Sequence, residues 1–75
     1  MTRYEKMISR MRNNPFGNWQ IDTLKAIAAR RGIEAIHEGS SHVVFRTPDG
    51  RQISVPAHRP IKAVYIKTFL ELLED

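Results

Sequence analysis

The stretch Gly39-Ser40-Ser41-His42-Val43-Val44-Phe45-Arg46 sets a histidine at the mouth of an apolar, β-branched run, directly after a glycine-serine corner. An unperturbed imidazole titrates close to neutrality, so it can accept a proton and later return one. Strand alternation places His42, Val44 and Arg46 on one face, with Val43 and Phe45 on the other. If Val43 and Phe45 enter the core, a histidine and an arginine share the open face. Such a pair suits RNA scission: the imidazole takes a proton from a ribose 2′-hydroxyl while the guanidinium holds phosphate and the charge that develops on it. The attacking oxygen then belongs to the RNA itself, and the products are a 2′,3′-cyclic phosphate and a free 5′-hydroxyl. A plain strand histidine is the simpler reading of the same residue.

Two further histidines compete for attention. His58 stands beside Arg59 in the proline-framed segment Pro56-Ala57-His58-Arg59-Pro60. It is either the acid for the leaving 5′-oxygen or a loop residue that orders the turn or meets a backbone phosphate. His37 has no partner identifiable from sequence. Three histidines without HxxxH or histidine-carboxylate spacing, in a chain with no cysteine, do not form a designed metal site, so no metal and no cofactor are expected.

The charge balance favours a polyanionic partner. Twelve Lys and Arg against eight Asp and Glu give a net charge of +4. The distribution is more informative than the total. From His42 to Lys67 the chain carries Arg46, Arg51, Arg59, Lys62 and Lys67 with Asp49 as the only acid, whereas Glu71, Glu74 and Asp75 close the chain. Arg46, Arg51, His58, Arg59, Lys62 and Lys67 are therefore the candidate RNA contacts, centred on a hairpin. Seventy-five residues, 41% hydrophobic and 27% charged, suit one small globular domain. With no apolar run longer than four residues, no membrane partner is expected, and the cytoplasm is the expected location.

Those side chains need a scaffold, and the periodicity supplies one. Thr2-Arg3-Tyr4-Glu5 fits a capping box, and Tyr4, Met7, Ile8 and Met11 form one apolar stripe, predicting a helix over Thr2 to Arg12. A second helix is predicted from Gln20 to Arg31 with Ile21, Leu24, Ile27 and Ala28 inward, Trp19 as a staple and Gly32 as the stop. Strands follow over Ile33 to Glu38, His42 to Thr47 and Arg51 to Val55, the last two joined by Pro48-Asp49-Gly50. A last helix is predicted from Ile61 to Glu74, with Ile66, Phe69, Leu70 and Leu73 on one stripe. The simplest packing is α+β: a three-stranded antiparallel sheet with helices on one face and the other face open. Only Val44 is expected as an exposed apolar residue on that open face.

GSSHVVFRTPDGR followed by SVPAHRPIKAVYIKTFLELL resembles the HicA family of toxin mRNA interferases, from about Trp19 to Leu73. The matching residues are Gly39, Ser40, His42, Phe45, Val55, Pro56 and His58. The resemblance implies a double-stranded-RNA-binding-like α-β-β-β-α fold, ribonuclease activity on mRNA that arrests translation, and neutralisation by a HicB-type antitoxin. It maps the catalytic histidine onto His42. On this reading residues 1–75 form a single HicA-like domain: residues 1–18 are an additional N-terminal helix and linker, 19–75 the core, and the free protein is a monomer or weak oligomer. Two features depart from the family pattern: the added helix, and Ala63-Val64-Tyr65 where a Gly-Thr commonly opens the last helix. The alternative is a non-catalytic RNA-binding module of the same shape.

Overall fold

In the computed structural model, residues 3–38, 41–57 and 60–74 are described. Thr2, and with it the capping box, lies outside them, as do Gly39, Ser40, His58 and Arg59. The order is α1 (Arg3–Asn13), α2 (Ile21–Arg30), β1 (Glu34–Glu38), β2 (His42–Arg46), β3 (Gln52–Pro56) and α3 (Ala63–Leu73). The strands form one antiparallel sheet in the order β1-β2-β3, so β2, which carries His42, is central.

The helices all serve one core. α2 packs on β1, α3 packs on β3, and α1 touches both other helices. Ile8 and Met11 of the α1 stripe are buried with Leu24 and Ile27 of α2, Val43, Phe45 and Val55 of the sheet, and Ile66 and Phe69 of α3. Tyr4 and Met7 are half-buried against the same cluster. Phe45 meets Phe69 edge-to-face at 5.1 Å between ring centroids, fixing the central strand beneath α3.

The turns follow the residues that permit them. Gly32 after α2 and Gly50 in the β2–β3 turn adopt φ of +72° and +93°, a region where a Cβ is strained. Strand β3 lies one residue later than the predicted Arg51–Val55. Arg51 belongs to the turn, where the Thr47 N–H donates to its carbonyl at 2.8 Å, and Pro56 is admitted instead. The Ala57 N–H donates to the Ser41 carbonyl at 2.8 Å, so positions 47/51 and 41/57 are hydrogen-bonded pairs and 42/56 is not. The N–H that proline lacks would have pointed off the outer edge of β3, and no ladder bond is lost.

The helix ends also differ slightly from expectation. α3 begins at Ala63 rather than Ile61 because Ile61, 2% exposed, is used as a plug: it is buried in the core and its N–H donates to the Trp19 carbonyl at 2.9 Å.

Candidate functional site

Register fixes the open face. Paired residues share a face, so Glu34 and Ile36 of β1, His42, Val44 and Arg46 of β2, and Gln52, Ser54 and Pro56 of β3 point away from the helices. Val43 and Phe45 are fully buried on the other side, as the alternation requires. Val44 departs from expectation: it is 8% exposed, not an apolar patch. A small side chain in the central strand is screened by neighbours on all four sides, here His42, Arg46, Ile36 and Ser54.

His42 is exposed at the start of β2, and its Nδ1 lies 3.0 Å from the hydroxyl of Ser41. In the tautomer whose Nδ1–H donates to the Ser41 oxygen, the lone pair sits on Nε2 and can accept a proton. Ser41 is a turn residue and not part of the strand, so its side chain folds back onto the ring instead of alternating to the far face. Sequence reasoning passed over Ser41. The available signal was a hydroxyl adjacent to a histidine at a turn, a place where local side-chain hydrogen bonds are common.

Arg46 shares the face with His42 but not its position. Four residues of strand separate their Cα atoms by about 13 Å. The Arg46 guanidinium lies across the sheet, with Nε donating to Gln52 Oε1 at 3.1 Å and Nη1 4.0 Å from the Glu34 carboxylate. It is therefore placed to meet an anionic group other than one held at His42.

Arg51, expected among the RNA contacts, is on the opposite side. Its pairing with Thr47 turns it toward the helices, where Nη1 donates to the Glu74 carbonyl at 3.0 Å and Nε to Asp49 Oδ2 at 3.1 Å. Thr47 is 5% exposed; its hydroxyl donates to the Asp49 carboxylate and accepts from the Arg51 N–H at 3.0 Å. The Thr47 hydroxyl first, and the Arg51 guanidinium second, hold the Asp49 carboxyl below the usual carboxylate range. This cluster is a turn lock joining the hairpin to the end of α3.

Lys62 is exposed at the N-cap of α3, at the same end of the sheet as His42, because β3 runs toward that end and the chain enters α3 from it. Lys67 is exposed on α3 with its ammonium 5.7 Å from the Phe16 ring centroid. His37 is exposed on the helix-facing side of β1, away from His42. His58 and Arg59 fall outside the described residues, although Pro56 and Ala57 bring the chain directly beside His42 and Ser41. Among the described residues no three His, Cys, Asp or Glu side chains gather as a metal-holding group, and no helix is long and apolar enough to cross a membrane.

Neither family models nor curated proteins nor solved structures yield a significant match to this chain.

Proposed function

We propose that the chain is a metal-independent endoribonuclease of the HicA type, with a double-stranded-RNA-binding-like core preceded by an added helix and with His42 as the proton-transfer residue. The observation that carries this reading is the pairing of an exposed His42 with Ser41, which orients the ring on a rigid central strand. The resemblance of Gly39 to Val55 and of the following Pro56 and His58 to that family supports it independently.

The chemistry uses few groups. His42 Nε2 accepts the 2′-hydroxyl proton as the 2′-oxygen attacks the adjacent phosphorus. The P–O5′ bond breaks, leaving a 2′,3′-cyclic phosphate, and the departing 5′-oxygen takes a proton from the imidazolium, from His58 or from water. Arg46 and Lys62 hold flanking phosphates and contribute salt-dependent affinity. Lys67, exposed on α3, adds a further cation.

A ribonuclease with so open a site endangers the cell that makes it, and a HicB-type antitoxin follows from the family reading. Covering the His42 face blocks proton transfer and phosphate binding in one contact. The α1 stripe does not compete for that role, since Ile8 and Met11 are already inside the core.

Overexpression in a bacterial host tests the function. Growth arrest by the native chain, with none from His42→Ala expressed at the same level and with the same circular dichroism, is the expected result. Arrest by both forms equally removes His42 from the mechanism. RNA binding without arrest or cleavage by either form leaves a binding module.

A further inference from the structure

Residues 14–20 join α1 to α2, and nothing in the chemistry at His42 requires them to have any particular shape. They are nevertheless closely built. The Gly17 N–H donates to the Asn14 carbonyl at 3.1 Å, the Trp19 N–H to the Gly17 carbonyl at 2.9 Å, and the Trp19 indole N–H to the Asn14 carbonyl at 2.8 Å. A Cβ at Gly17 would stand 3.1 Å from the indole nitrogen and 3.3 Å from the Asn14 carbonyl, so glycine is what allows the turn to close this tightly.

The turn walls a cavity of about 380 Å³ lined by Arg10, Asn13, Asn14, Gly17, Asn18 and Trp19. Its size falls in the range of small-molecule sites, and no acidic residue lines it. The side-chain amides of Asn13, Asn14 and Asn18 make no hydrogen bond among the described residues. Next to it, Phe16 is 79% exposed, the most exposed large apolar side chain described, with the Lys67 ammonium over its ring.

We propose that this connection is a base-binding subsite for single-stranded RNA, with one nucleobase entering the cavity beside Trp19 and a neighbouring base stacking on Phe16. The proposal rests on the RNA-cleaving reading and names where that substrate is recognised. Amides offer a donor and an acceptor side by side, which is what the edge of an unpaired base requires. Exposed aromatic rings flanked by cations are the general means of holding single strands, the ring taking the base and Lys67 and Arg10 the phosphates. An acidic protein segment would be served by the cations alone and would leave the amides and the ring without a purpose.

Backbone hydrogen bonds also tie the chain at both the cavity turn and the His42 corner. The Ser41 carbonyl accepts from Ala57 and the Trp19 carbonyl accepts from Ile61, so Ala57 meets the His42 corner and Ile61, four positions later in the sequence, meets the cavity turn. On this proposal a strand bound at His42 continues toward Trp19.

Trp19 is the only tryptophan, which makes its fluorescence a local reporter. In the His42→Ala protein, a mixed-sequence single-stranded oligoribonucleotide is expected to change Trp19 emission saturably, while an abasic oligomer of equal charge does not. Phe16→Ala, which removes an exposed ring and leaves the core intact, is expected to weaken binding about tenfold. Paired Asn13→Ala and Asn18→Ala changes are expected to reduce discrimination among base compositions. An equal response to the abasic oligomer, or to polyglutamate, overturns the subsite. So does RNA binding, followed on a labelled oligomer, with no change in Trp19 and no loss in Phe16→Ala; cleavage dependent on His42 would then survive without it. Failure of every form to bind RNA overturns the ribonuclease reading as well.

Discussion

Replacing Arg51 by alanine separates the basic residues that brace the fold from those proposed to face RNA. The guanidinium joins the β2–β3 turn to the end of α3 through the Glu74 carbonyl at 3.0 Å, a link across 23 residues of chain. One hydrogen bond from a charged donor, on a side chain still 45% exposed, contributes about 1 kcal/mol after exchange with water. The adjoining ion pair with Asp49 is screened at the surface and is counted as nothing. In a domain of this length about 1 kcal/mol lowers Tm by roughly 4–8 °C. Thermal unfolding by circular dichroism measures that shift, and RNA affinity as a function of salt provides the contrast. Arg51→Ala is expected to keep the wild-type log-log slope, whereas Arg46→Ala keeps its Tm within a degree or two and loses about 0.7 from the slope, the release accompanying one single-strand phosphate contact. An Arg51→Ala protein of unchanged Tm and reduced slope would refute this placement.

Other perturbations read the site more locally. Ser41→Ala removes the hydrogen bond that sets the His42 ring and is expected to lower kcat about fivefold, with KM nearly constant and with recovery in Ser41→Thr; a change in KM alone would mean that Ser41 binds RNA and does not position the ring. Asp49 is more acidic in the folded protein than in the unfolded chain, so its contribution to stability is present above the ordinary carboxylate range and is lost as pH falls through its lowered folded value. Asp49→Asn is therefore expected to flatten the acid limb of a stability-pH curve and to leave neutral-pH cleavage unchanged. In a complex with an antitoxin, hydrogen exchange is expected to slow over residues 42–55; protection confined to residues 3–13 would place the partner on α1 instead.

The elements of this fold are legible in the sequence because each depends on local chemistry. The Tyr4, Met7, Ile8 and Met11 stripe specifies a helix and its buried face, and Pro48-Asp49-Gly50 specifies a hairpin whose Gly50 takes the positive φ the turn needs. The alternation around Val43 and Phe45 correctly sends His42 and Arg46 to the open face. Partner choice across the fold is not legible in the same way. Arg51 and Arg46 look equivalent as hairpin cations, but one residue of register decides which side each occupies, and the end of α3 supplies the carbonyl that captures Arg51. Val44 looks exposed by alternation and is covered because neighbours in a central strand close over it. The cavity beside Trp19 arises from a glycine-dependent turn closed by the backbone of Asn14, Gly17 and Trp19 and by an indole, and composition alone does not reveal it.

The central claim is that His42 activates a ribose 2′-hydroxyl without help from a metal. Incubating the native protein and His42→Ala with one defined RNA in excess EDTA, and determining the product ends by mass spectrometry, tests it most directly. The expected result is cleavage by the native protein alone, giving a 2′,3′-cyclic phosphate and a 5′-hydroxyl, with no cut where the scissile ribose is replaced by its 2′-deoxy form. A 5′-phosphate with a 3′-hydroxyl, cleavage at the 2′-deoxy position, or equal cleavage by His42→Ala would contradict it.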